Sequence, residues 1–260
     1  MYLEFYKYHG TGNDFILIDN RDDSFNAKNI DLIKTLGNRQ LGIGADGIIL
    51  LENSDKYDFK MVYYNTDGST GSMCGNGGRC IVAFAKMFKI IEDDAVFEAA
   101  DGIHKATIDK NDVVNLQLMD VGFILEDSGY LFLNTGSPHH VQFVSNVSKI
   151  KVKSKGKKIR NSSTYSPKGT NVNFVEQINK DTFKVRTYER GVEDETLSCG
   201  TGVTAVAIAA YQIQKTTNTT VNVETNGGLL EVSFLKADDS YTNIYLRGAT
   251  KLVYKGFWVK

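Results

Sequence analysis

Apolar and polar positions alternate along several short runs, Phe59 to Tyr64, Lys105 to Ile108, Val113 to Leu118 and Phe183 to Tyr188. That period of two is what half-buried strands require. Two longer runs behave otherwise. Gly78 to Lys89 and Gly202 to Gln214 combine alanine with Ile, Val or Phe and contain no internal breaker, so the pattern predicts helices there. Each is apolar nearly all round, and such a helix must be covered on every side. The expected architecture is therefore α+β, with a mostly antiparallel sheet wrapped around a central buried helix. Short strands joined by tight turns and bulges also account for the 24 glycines.

The pattern occurs twice. Phe59-Lys60-Met61-Val62-Tyr63-Tyr64-Asn65 resembles Phe183-Lys184-Val185-Arg186-Thr187-Tyr188-Glu189, and a polar loop leads from each to Cys-Gly-x-Gly, at Cys74 and at Cys199. Thr11-Gly12 answers Thr135-Gly136, and Glu98 to Gly102 answers Glu224 to Gly228. These landmarks keep one order at an offset of about 125 residues, the signature of an internal duplication. Two pseudo-symmetric domains follow: residues 1–115 as an N-terminal repeat, to which segment 249–260 is a candidate to return, and residues 116–248 as a C-terminal repeat. A site is expected in the cleft between them.

Thirty basic against 31 acidic residues leave a net charge of −1, which argues against a nucleic-acid partner. With 42% hydrophobic residues and two prolines among 260, the chain reads as globular. Met1 to Gly10 has no basic stretch followed by an apolar one, so no secretory leader is expected. The apolar run Val203 to Tyr211 is far shorter than the roughly 20 residues that span a bilayer. A soluble, cytoplasmic protein without membrane contact is the expectation. Lys151 to Arg160 carries a run of basic side chains and reads as a solvated strand and loop rather than a polyanion site. Cys74, Cys80 and Cys199 are odd in number and form no Cys-x-x-Cys pair, so neither a disulfide framework nor a metal site is supported.

Two cysteines at helix starts have a distinct chemistry. Unpaired N–H groups and the positive end of the helix dipole favour a thiolate there, and the same N–H groups can bind a carboxylate. Gly75, Gly77, Gly200 and Gly202 let backbone approach a ligand closely. Two opposed acid/base groups suit removal of a proton from one face of a carbon and delivery to the other, which is racemisation or epimerisation. Helix N-termini donating to the substrate carboxylate would stabilise charge as it develops, so no electron-sink cofactor is required. The plain alternative for either cysteine is a small buried residue beside a tight turn. Cys80, without a counterpart in the second repeat, reads as an inert core residue.

At these residues the sequence resembles the diaminopimelate epimerase family over essentially its whole length. The matching motifs are His9 to Phe15 (HGTGNDF), Tyr64 to Ser69 with Met73 to Cys80, Gly136 to His139, Asn171, and Tyr188 to Gly191 continuing through Glu195 to Gly202. The resemblance implies a cofactor-independent isomerase of lysine and peptidoglycan precursor synthesis, a homodimer, that interconverts LL- and meso-diaminopimelate. It makes Cys74 and Cys199 the two bases, with Cys199 accepting and Cys74 donating the proton, supported by His139 and Glu189. Backbone of Gly75, Asn76, Gly200 and Thr201 would hold the reacting carboxylate. Asn13, Asn65, Asn171, Glu189 and Arg190 would read the remote end, the arginine fork suiting a carboxylate and the glutamate an ammonium. Gly47 stands where some members carry a substrate-contacting glutamine, leaving only backbone to make that contact, and Ser137 replaces a longer Asn and would act through water. The competing functions are a related racemase of proline, hydroxyproline or histidine and a non-catalytic carboxylate-binding protein. The proline branch usually has His where Asn76 stands.

Overall fold

The computed structural model describes residues 2–71 and 73–259. They form two compact units, Met1–Leu116 with Gly248–Lys260, and Gln117–Arg247.

The first unit contains β1 (Tyr2–Gly10), β2 (Asn13–Asp19), α1 (Ile30–Gly37), β3 (Gly47–Glu52), β4 (Phe59–Asn65), α2 (Gly75–Met87), β5 (Asp94–Ala99), β6 (Gly102–Ile108) and β7 (Val113–Gln117). The second contains β8 (Ile124–Asp127), β9 (Tyr130–Asn134), β10 (Pro138–Phe143), α3 (Val152–Arg160), β11 (Asn171–Gln177), β12 (Thr182–Glu189), β13 (Asp194–Thr196), α4 (Gly200–Gln212), β14 (Thr220–Thr225) and β15 (Gly228–Ala237). The last strand, β16 (Ser240–Val259), serves both: residues 240–247 pair with β15 and residues 250–259 with β1.

Strand pairing repeats the duplication seen in the sequence. In the first unit β1–β2 is antiparallel, β2–β3 parallel, β3–β4 antiparallel, β4–β5 parallel and β5–β6 antiparallel. In the second, β9–β10, β10–β11, β11–β12, β12–β14 and β14–β15 follow the same series. All four strands first inferred from alternation are present, as β4, β6, β7 and β12.

Each central helix is enclosed by its own sheet. α2 packs on β1, β2, β3, β4 and β6, and α4 on β9, β10, β11, β12, β14 and β15. Every residue from Gly75 to Ala85 is buried, as is every residue from Gly202 to Ala210. Burial of so much apolar surface, worth roughly 25 cal/mol per Å², explains why alanine- and glycine-rich segments persist as helices. β2 and β3 are apolar on both faces because α1 covers the side away from α2: Ile16, Ile18, Ile48 and Leu50 pack with Ile33 and Leu36.

The second unit has a matching outer helix where a solvated strand and loop was expected. Residues 152–160 form α3, because Val152, Gly156 and Ile159 recur at helical spacing while the lysines between them face solvent. Val152 and Ile159 pack with Val172, Phe174 and Tyr188. A Cβ on Gly156 would lie 2.3 Å from the Tyr188 Cβ, so only glycine lets this helix come so close. No helix of the described residues is long and apolar enough to cross a membrane.

Candidate active site

Both central helices begin at a cysteine. Cys74 is the N-cap of α2 and Cys199 the N-cap of α4, both with extended backbone and neither making a side-chain cap hydrogen bond. The first N–H groups of a helix have no intrahelical acceptors, so each thiol stands beside a donor-rich, electropositive turn. The helices start earlier than the apolar pattern alone suggests, at Gly75 and Gly200, which places Gly75, Asn76, Gly200 and Thr201 in the first turns. No disulfide joins the described cysteines; Cys74 is half-buried and Cys80 and Cys199 are buried. Burial pushes the Cys80 thiol far above its ordinary range, which keeps it protonated and unreactive.

In the first unit, Cys74 Sγ lies 3.6 Å from Asn13 Oδ1, to which Asn76 Nδ2 also donates at 3.1 Å. Asn13 in turn donates to Asp46 at 2.7 Å, and Arg39 clamps Asp46 and Asp14 at 2.6 Å each. Behind Asn76 sits Arg79, wholly buried, with Nη2 on Asn76 Oδ1 at 3.0 Å and on Thr11 Oγ1 at 3.2 Å. Burial lowers its guanidinium to about 10, still a cation at pH 7. Asn65, at the end of β4, donates to Ser69 Oγ at 3.0 Å and pairs across the sheet with Gly47. A side chain on Gly47 would collide with the Tyr63 ring.

In the second unit, Thr201 Oγ1 lies 3.5 Å from Cys199 Sγ and 2.9 Å from His139 Nε2. His139 is completely buried, and that burial, with Arg190 adding to it, holds its imidazole down to about 3. The ring is neutral at pH 7. Ser137, Asn171 and Arg190 form one cluster: Asn171 Nδ2 donates to Ser137 Oγ at 2.9 Å and the Arg190 N–H to Asn171 Oδ1 at 2.8 Å. Among the described residues the Arg190 guanidinium makes only long hydrogen bonds, 3.4 Å to the Lys168 carbonyl and 3.5 Å to Ser137 Oγ. Glu189 Oε2 accepts from Thr196 at 2.9 Å.

The sequence profile described as "Diaminopimelate epimerase" matches residues 5–122 and 131–253. A diaminopimelate epimerase of Flavobacterium psychrophilum is 54% identical over 253 residues, covering 97% of this chain and 99% of the relative. The chain belongs to the diaminopimelate epimerase family. Another relative so named, from Chlorobaculum tepidum, is 41% identical over 95% of this chain and 98% of its own. Solved structures share the fold at low identity. A phenazine biosynthesis protein of the PhzF family from Bacillus anthracis matches at TM-score 0.77 with 15% identity over the full length of both chains. A hydroxyproline epimerase from Agrobacterium vitis matches at 0.70 with 14% identity, over 98% of this chain and 92% of that one.

Within this diaminopimelate epimerase family fold, two polar residues close to the thiols escaped the sequence reading as site residues. Arg79 is the one charge in the buried stretch Gly75 to Ala85 of α2, and Asn173 a second asparagine in the buried stretch Asn171 to Val175 of β11. A buried charge or amide in such a run needs partners, and that is the signal each carries. His9, His104 and His140 bond to the Gly12 N–H, Asp101 and Tyr165 respectively. Among the described residues no cluster of His, Cys, Asp and Glu is gathered to hold a metal ion.

Proposed function

We propose that this isomerase interconverts LL- and meso-diaminopimelate by proton transfer at the α carbon between two cysteines. The observation that carries the reading is the placement of one cysteine per repeat as the N-cap of a buried helix, with no cap bond of its own. In the LL-to-meso direction the Cys199 thiolate removes the α-proton, and the Cα–H electron pair passes into the α-carboxylate. The Cys74 thiol then delivers its proton to the opposite face, leaving a thiol at Cys199 and a thiolate at Cys74. The reverse reaction exchanges the roles. First-turn N–H groups of Gly75, Asn76, Gly200 and Thr201 receive the growing negative charge, an effect worth several kcal/mol. Pyridoxal phosphate has no part to play in this chemistry.

Specificity for the second amino-acid centre falls to Asn13, Asn65, Ser137, Asn171, Glu189 and Arg190, with the backbone of Gly47. The loosely held Arg190 guanidinium is free to grip the distal carboxylate bidentately, and Glu189 offers a carboxylate to the distal ammonium. His139 stays neutral and supports Cys199 through Thr201. The same reading makes the protein a cytoplasmic homodimer, the dimer being testable by sedimentation.

The test is purified protein with LL-diaminopimelate in deuterated water, without added cofactor, followed by chiral separation at low conversion. The meso product should carry solvent deuterium from the outset while the remaining substrate stays largely protiated. Product retaining its original hydrogen, or activity lost to carbonyl reagents and restored by pyridoxal phosphate, refutes the two-thiol mechanism. Turnover of proline or hydroxyproline instead would refute the substrate.

A further inference from the structure

We propose that Asn173 is a positioning residue that locks His139 as its Nε2–H tautomer and thereby turns the Thr201 hydroxyl toward the Cys199 sulfur. Asn173 lies on β11 and is fully buried. Its Nδ2 is 3.0 Å from the His140 carbonyl and 3.1 Å from His139 Nδ1. A carbonyl only accepts, so the NH2 group must be on that side. The Asn173 Oδ1 accepts instead from Thr187 Oγ1 at 3.0 Å. Nδ1 of His139 therefore faces a donor and must itself accept, which leaves the ring proton on Nε2.

That proton points at Thr201 Oγ1, 2.9 Å away. With its oxygen accepting from the ring, the hydroxyl keeps its own hydrogen to give, and Cys199 Sγ is in reach at 3.5 Å. The series Asn173, His139, Thr201, Cys199 runs in one direction, donor to acceptor, and ends on sulfur. A thiolate is the acceptor such a series favours. The histidine is then no base for the cysteine, and no proton moves along the series. Burial, reinforced by Arg190, keeps the ring neutral, so its polarity is fixed. Gly202 completes the arrangement, since a Cβ there would lie 2.6 Å from Asn173 Oδ1.

The inference rests on Cys199 working as a thiolate base, but its test needs no turnover. Long-range proton–nitrogen NMR on the whole protein labelled with 15N-histidine reads the tautomer directly, with His139 assigned through His139→Gln. His139 should show Nε2–H throughout about pH 6–9. An Nδ1–H tautomer, or a ring titrating in that range, overturns the inference. The second measurement is the pH dependence of iodoacetamide labelling at Cys199 and Cys74, resolved by peptide mass spectrometry. Asn173→Asp offers Nδ1 an acceptor, reverses the tautomer and draws the Thr201 hydroxyl back to the ring. The Cys199 midpoint should rise by about one pH unit, matching a hydrogen bond to a charged group, with the Cys74 midpoint unmoved. In turnover, kcat should fall about 10-fold with KM nearly constant. Thr201→Val should raise the Cys199 midpoint similarly and Thr201→Ser restore it, so the test survives if the aspartate variant does not fold. A Cys199 profile unchanged in folded Asn173→Asp or in Thr201→Val would reduce Asn173 to a packing role.

Discussion

Arg79→Met separates what a buried charge costs the fold from what it gives the site. Burial depresses the Arg79 pKa below the ordinary guanidinium range, to about 10. For a base, that shift means the unfolded chain binds the proton more tightly, so the penalty is fully present at pH 7 and disappears only as pH rises past about 10 into the ordinary guanidinium range. Its size is about 3 kcal/mol. Against it stand the bonds from Nη2 to Asn76 Oδ1 at 3.0 Å and Thr11 Oγ1 at 3.2 Å, with a long third to the Gly75 carbonyl at 3.4 Å. Two good charged hydrogen bonds contribute about 3–6 kcal/mol, and among the described residues Nε has no hydrogen-bond partner. The balance leaves methionine, similar in reach and free of desolvation cost, less stable by at most about 3 kcal/mol. Function should suffer more. Asn76 loses the group that orients it on Asn13, the acceptor facing the Cys74 thiol, and a Cys74 thiolate loses a nearby cation. Turnover should drop at least about 10-fold, the loss expected from one charge-assisted interaction. Urea unfolding gives the first quantity and the chiral product assay the second. A fold weakened by more than about 4 kcal/mol, or an undiminished kcat, would show that Arg79 is structural in the ordinary sense.

Cys74→Ala and Cys199→Ala should each lose epimerisation, while Cys80→Ala keeps nearly normal turnover with a packing cost of about 1 kcal/mol; comparing the three initial rates decides it. Gly156→Ala should lower the urea midpoint, because overpacking against Tyr188 at about 1–3 kcal/mol outweighs the roughly 1 kcal/mol that alanine adds to a helix; a stabilised variant would contradict that contact. Burial alone would raise the Asp14 carboxyl, but hydrogen bonds from Arg39 and Lys7 hold it at about 2. Asp14 therefore stabilises the fold above its ordinary value near 3.8 and ceases to as pH falls to about 2. Arg39→Ala should move acid unfolding, followed by circular dichroism, to higher pH, and coincident curves would refute the clamp.

The central helices and their strands were legible because the sequence states them twice and because all-round apolar character forces a covered helix. α3 was not, since the alternating lysines of residues 151–157 mimic period two and conceal Val152, Gly156 and Ile159. The cysteines, glycines and Asn76 could be located from motif and helix start alone. The wiring behind them could not, for Asn173 meets His139 across 34 residues and His139 meets Thr201 across 62. No local pattern encodes which way an amide faces; only the neighbouring carbonyl of His140 does.

The shared strand β16 bears on how the chain is made. The second unit is one unbroken stretch, Gln117–Arg247, whereas the first lacks its segment after Arg247 until the whole of the second has been translated. Through translation of the intervening segment, roughly 7–26 s at cellular rates, β1 has no partner on the edge later filled by Thr250 to Val259. An open strand edge invites pairing with other chains. The unit that is translated first is thus the unit that closes last, and chaperone demand should fall on the unit carrying Cys74, not on the one carrying Cys199.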